Sequence, residues 1–286
     1  MNSMNRKPQM GVGLVEIMVA VTVSLLLLAG MVRILIGNKQ TFQAQNMLQG
    51  LQEDTRAAIT MLSDVIANAG FHINPLADPA ELFDPANNDV DDPPNNHVDH
   101  LGNAVIDGEA SGANPHAVPD RFTVSFQSDG SMFDCLGDTY GPGSATPLAT
   151  PANLGLIRNT FYLDGGALRC SVTVTSALGT ATPKPQPLVN NVESMAVRYG
   201  VDTNLDESVD QYLWAEEVNA LGQWENVRAI KLALLIASED AVRSVAETNP
   251  FSFSLLGAPL AVADDRHARH VITRVIALNN RLHQTN

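Results

Sequence analysis

This sequence of 286 residues is poor in basic side chains and in cysteine. Its 17 Lys and Arg stand against 31 Asp and Glu, for a net charge of −14. That balance argues against nucleic acid or anionic lipid head groups as partners of the folded part. Walker loops, G-x-S-x-G elbows and H-E-x-x-H helices are all missing, and there is no credible Cys-His pair. The chain reads as a non-enzyme that requires no cofactor. From Gly11 to Gly70 there is not one proline. No small-residue cleavage site directly follows the apolar run within that stretch, which excludes an ordinary secretory signal.

What is there is a helix in two parts. Val12 to Ile36 is apolar throughout except for Glu16, Thr22, Ser24 and Arg33. At about 25 residues and roughly 1.5 Å per residue it can cross a hydrocarbon core of about 30 Å. Beyond it, Leu48, Leu51, Thr55, Ala58, Leu62, Val65 and Ala69 recur at spacings of three and four, widened by Ile59 and Ile66. That periodicity predicts an amphipathic continuation of the same helix into water. Gly70 is positioned to cap it, and Asn74-Pro75 forbids extension. Arg6 and Lys7 precede the apolar run, so the positive-inside rule keeps the N-terminus cytoplasmic and exports the remainder.

Glu16 is the anomaly, because a carboxylate facing lipid near a helix centre costs about 2.5–3.5 kcal/mol. Gly11-Val12-Gly13-Leu14-Val15-Glu16 resembles the class III signal of type IV pilins and pseudopilins. The resemblance implies cleavage after Gly11 by prepilin peptidase and N-methylation of the new N-terminus at Val12, where the family usually has phenylalanine. It also implies a role for Glu16 in assembly, neutralising the terminal amine of a neighbouring subunit. The amine of the same chain is the alternative partner, since residues four apart share a helix face.

The remaining residues read as one exported β-rich domain of about 210 residues. Cys135 and Cys170 fit an oxidising compartment and one disulfide, closing a loop of about 36 residues worth roughly 3–4 kcal/mol. A free buried thiol and a metal pair are the competing readings. Phe71 to Pro119, rich in Asn, Asp and Pro, reads as a long loop. Within it His97, Asp99 and His100, near Asp91 and Asp92, match no metal-ligand spacing. Strands are predicted at 122–127, in a hairpin over 159–174 around Asp164-Gly165-Gly166, at 192–199, at 227–236 as a central strand, and at 270–278. Stretches 139–152, 180–187 and 243–265 read as loops. Asp202, Asn204, Asp206, Ser208 and Asp210 place oxygens at every second position, as at the start of a calcium loop. Glu207 stands in the glycine position and Leu213 in that of the bidentate acid, and an acidic exposed turn is the plainer account.

Taken with Gly37 to Phe42, the 48–70 cluster, Phe133 to Gly137, Leu168-Arg169-Cys170, Val192 to Tyr212 and Arg269 to Asn279, the chain resembles PilW-type minor pilins. That resemblance implies a pilin-like α+β fold, with the long N-terminal helix packed against an antiparallel sheet. Its parts would be a leader over 1–11, a transmembrane helix over 12–36, the exported helix half over 37–70 and the β-rich domain over 71–286. It implies a minor pilin that primes type IV pilus assembly, first in the inner membrane and then in the pilus. The implied partners are other minor pilins, the major pilin, prepilin peptidase and the inner-membrane assembly platform. A J-like pseudopilin of type II secretion and a tip adhesin, contacting its target through 71–119, are the alternatives.

Overall fold

Apolar residues without proline, followed by a stripe at helical spacing, form one helix in the computed structural model, α1, Leu14–Ala67. The structure describes residues 13–71, 100–102, 106–109, 121–128, 131–140, 156–176, 179–180, 185–241, 251–262 and 265–279. The chain divides into two compact units, Met1–Met47 and Leu48–Asn286. In the first unit, Leu14–Lys39 is long and apolar enough to cross a membrane. Its leucines, valines and isoleucines are exposed all round the helix.

The second unit begins with the amphipathic part of α1. Leu51, Thr55, Ala58, Leu62, Val65, Ile66 and Ala69 are buried there, which is the stripe read from the spacing. Thr55 joins that apolar face because its hydroxyl donates to the Leu51 carbonyl one turn back, at 2.6 Å. The helix ends in a turn at Gly70, whose φ of 73° is the left-handed conformation that glycine adopts without cost. The Gly70 N–H donates to Ser125 O at 2.9 Å, and the Gln127 N–H donates to Phe71 O at 2.8 Å. The helix end is thereby stitched to the strand that carries Ser125.

That strand belongs to a seven-stranded antiparallel sheet: β1 His100–Gly102, β2 Ile106–Glu109, β3 Phe122–Gln127, β4 Leu156–Asp164, β5 Ala167–Ser176, β6 Gly179–Thr180 and β7 Gln186–Asn190. The β4–β5 turn is Gly165-Gly166, with φ of 60° and 74°, the pair of positive values that a two-residue hairpin requires. A second sheet has the order β13-β10-β8-β9, built from β8 Val192–Val201, β9 Gln211–Leu213, β10 Val227–Ala241 and β13 His267–Ala277. One core joins the α1 stripe to both sheets, through Phe122, Phe126, Ile157, Phe161, Met195, Tyr199, Leu232 and Leu234. Phe122 and Phe161 are paired across β3 and β4 and stack at 5.0 Å between centroids.

Four sequence expectations are corrected. The stretch 71–119 contains β1 and β2, which extend the first sheet, so it is not wholly loop. Strand β3 is buried on both faces, with Thr123 bonded to Thr160 at 3.0 Å, although alternation suggested a half-buried strand. The stretch 180–187 reaches into β7, where Pro187 is tolerated because β7 pairs only with β5 among the described residues, and the register shifts beside it. The stretch 243–265 holds a hairpin, β11 Phe251–Leu255 and β12 Ala258–Val262. Phe253 and Leu260 pack with Ala196, Ala233 and Leu235 on the second sheet's outer face.

Leu62 is fully buried at the centre of the stripe. Leu62→Ala should destabilise the second unit by about 2–5 kcal/mol, read as a lowered thermal midpoint of the full chain in detergent. The exposed Gln52→Ala on the same helix should leave that midpoint within error.

Candidate functional site

The first turn of α1 starts with the Glu16 N–H donating to Gly13 O at 3.0 Å. Of the ionisable side chains within the apolar stretch up to Val32, Glu16 is the one that the sequence supplies. The hydroxyls that accompany it are answered locally. Thr22 donates to Val19 O at 2.8 Å and Ser24 to Ala20 O at 2.7 Å. Such bonds to the preceding turn let hydroxyls lie in an apolar layer without a further partner. The Glu16 carboxylate has no hydrogen-bond or ion-pair partner among the described residues. It borders a shallow apolar face of Ile17, Ala20, Val21, Ser24, Leu25 and Leu28. Chemically, this is an anion on a greasy surface with room for a cation from outside the helix. Gly11 and Val12, the processing residues that the resemblance implies, lie outside the described residues, as do His97, Asp99, Asp91 and Asp92. His100 is the first residue of β1.

Cys135 and Cys170 form a disulfide, with Cα atoms 6.4 Å apart. Cys170 points into the core from β5, as its alternation with Leu168 and Val172 indicates. The segment carrying Cys135 is fastened independently. Asn159 on β4 accepts the Cys135 N–H at 2.9 Å. The buried Asp134 accepts the N–H groups of Leu136 and Asp138 and, at 2.8 Å, the hydroxyl of Tyr140. Burial pushes the Asp134 carboxyl above its usual range, although the Tyr140 hydroxyl bond works against that shift. Burial first, and then that same bond, also raise the Tyr140 phenol. The Asp134–Tyr140 pair escaped the sequence reading, since a lone Asp beside a Cys has no distinguishing pattern.

The Asp202–Asp210 loop is the exposed acidic turn that the sequence suggests, apart from its first residue and the half-buried Val209. Asp202 is fully buried. Its Oδ2 accepts from Arg228 Nε at 3.1 Å and from the Glu207 N–H at 2.9 Å, and its Oδ1 from the Asp206 N–H. Asp210 accepts from the Thr203 hydroxyl and amide, and Asp206 from Ser208. The Ser208 hydroxyl holds Asp206 below the ordinary carboxylate range, and the Thr203 hydroxyl does the same for Asp210. Asn204 donates to Asp206 at 3.1 Å, so all five oxygen-bearing residues are in one network. Glu207 has φ of 73°, the left-handed backbone for which a calcium loop normally uses glycine. Among the described residues no three His, Cys, Asp or Glu side chains converge in the manner of a metal centre.

Residues 159–280 match the family model for PilW, described as type IV pilus-assembly protein W. Those residues are similar to the PilW family. That region runs from β4 past β13 and includes Cys170, the Asp202–Asp210 loop and Arg228. Cys135 and Glu16 lie before it, so the N-terminal features and the PilW match come from separate parts of the chain. Among solved structures, a type IV-like pilin from Thermus thermophilus is similar at 14% identity and a TM-score of 0.43, over 81% of this chain and 97% of that one. No curated protein matches the sequence.

Replacing the disulfide tests how far it supports the second unit. Cys135→Ser with Cys170→Ser should cost about 3 kcal/mol, seen as an earlier urea midpoint. Reduction of the unmodified chain should reproduce the shift, and reduction of the double variant should add nothing.

Proposed function

We propose that this chain is a minor pilin that primes or promotes type IV pilus assembly. One observation carries the reading: a single carboxylate without a local partner stands in the first turn of an exposed apolar helix, on a chain with a region similar to the PilW family. Prepilin peptidase would cleave after Gly11, leaving a cationic amine on Val12 that is then methylated. An isolated charge in an apolar layer is costly, and a matched pair is much less so. The Glu16 carboxylate meets that amine on a neighbouring subunit, and their pairing sets axial register while the apolar helices pack. Before extraction the helix holds the subunit in the inner membrane, with its folded domain in the periplasm. The role is structural, and its partners are other minor pilins, the major pilin and the assembly platform.

Glu16→Ala should leave membrane insertion intact. Incorporation into pili should fall by more than about tenfold, because one unmatched charge of a buried pair costs about 3–5 kcal/mol. Immunoblots of sheared pili against membranes measure this, and wild-type incorporation would refute the register role.

Calcium at the Asp202–Asp210 loop is a second proposal. It is supported by the five alternate oxygen-bearing residues and by the left-handed Glu207. The ion would have to displace the amide, hydroxyl and arginine donors that now satisfy the carboxylates. Titration of the chelator-treated chain with calcium should give heat and a raised melting midpoint, and neither should appear in an Asp206→Asn, Asp210→Asn variant. A flat titration of the unmodified chain ends the proposal.

A further inference from the structure

The last strand, β13, hydrogen-bonds to β10 alone among the described residues, so an eleven-residue strand forms an edge of the second sheet. Beside it runs a groove of about 480 Å³ between β13 and the amphipathic part of α1. Leu51 and Ile59 from the helix and Ile272 from the strand supply its apolar lining. Arg56 from the helix, and His270 and Arg274 from the strand, supply its polar rim.

The rim is unusual for this chain. Acidic residues outnumber basic ones by 14, yet among the described residues no Asp or Glu lines the groove. A fourth basic residue there, Arg269, shows what satisfied pairing looks like. It makes paired bonds of 2.6–2.8 Å to both Glu193 and Asp265. The side chains of Arg56, His270 and Arg274 have no hydrogen-bond or ion-pair partner among the described residues, and all three residues are exposed. Their spacing is informative. His270 lies opposite Ile236, Ile272 opposite Leu234 and Arg274 opposite Leu232, so the three alternate along the sheet face that bears the core.

A strand added to an open edge places every second residue on that same face. Beside β13, three such residues would stand next to His270, Ile272 and Arg274. Charge complementarity asks for an acid, an apolar residue and an acid at those places. Resting on the pilus reading above, we propose that the β13 edge and its groove receive an extended acidic segment of a neighbouring pilus subunit, with acidic, apolar and acidic side chains at alternate positions. Main-chain bonds to the edge hold the segment, while Arg56 and Arg274 select for its charge. The edge is thereby capped in the assembly, where an uncapped edge invites indiscriminate pairing.

The test uses the full chain in its host. A photo-crosslinking residue replaces Thr60, which lines the groove, or Ala220, which is exposed on the short helix α2, Ala215–Leu221. After irradiation, mass spectrometry locates the adduct. The Thr60 probe should attach to a segment of another pilus subunit with acids at alternate positions, and the Ala220 probe should not reach it. Charge reversal, Arg56→Glu with Arg274→Glu, should cut that adduct by at least about tenfold at unchanged chain level, and Arg56→Lys with Arg274→Lys should retain most of it. No adduct, an adduct on a segment lacking that pattern, one on a second copy or on this chain's own residues 72–99, or one indifferent to charge reversal overturns the proposal. Co-purification of the unmodified chain with sheared pili separates the two levels. Absence from pili sinks the pilus reading and this proposal with it, whereas presence without the adduct sinks this proposal alone.

Discussion

A carboxylate in an apolar layer must find a cation or lose its charge, and α1 offers Glu16 none among its described neighbours. The other polar groups of the run show that the helix can solve such problems internally. Thr22 and Ser24 turn their hydroxyls back onto carbonyls of the preceding turn. A carboxylate has no proton to donate in that way, so the helix alone cannot neutralise it. Under the proposed function, pilus assembly supplies the missing charge, by making a chain end into a cation and bringing it alongside.

The second constraint is that the helix which is greasy on all sides in one unit must be greasy on one side in the other. Burial of Leu51, Ala58, Leu62 and Ile66 against two sheets meets it. Gly70 then ends the helix beside the first sheet, with backbone bonds joining Gly70 and Phe71 to β3. The disulfide and the Asp134–Tyr140 and Asn159 bonds fix the Cys135 segment over the same sheet. The helix is thus held by apolar area along its length and by directional bonds at its end.

Much of this was legible from residue spacing. The α1 stripe, the Gly165-Gly166 hairpin and the apolar faces of β10 are strong periodic signals, since each depends on local geometry. What escaped either lacks a strong local turn signal or depends on contacts distant in sequence. The β11–β12 hairpin has an alternating Phe-Ser-Phe-Ser-Leu strand, but its turn, Leu256-Gly257, lacks the usual Asn or Asp and the segment reads as mixed. Asp202 looked like one more exposed acid until Arg228, 26 residues away, was seen to meet it in the interior. The choice of β13 as an edge, with Arg274 free of a side-chain partner among the described residues, could not come from pattern at all, because edge status is a property of sheet order. At the N-terminus the position of Glu16 was legible, and its lack of a partner emerged only from the bonds made by its neighbours.

The most direct measurement is the intact mass of the chain purified from its host, with fragmentation of its N-terminus. The account predicts a chain that begins at Val12, carries one methyl group on its amine and retains the apolar helix. A chain that still begins at Met1, or one cut downstream of the helix, would contradict it, because Glu16 would then have no chain-end cation to meet.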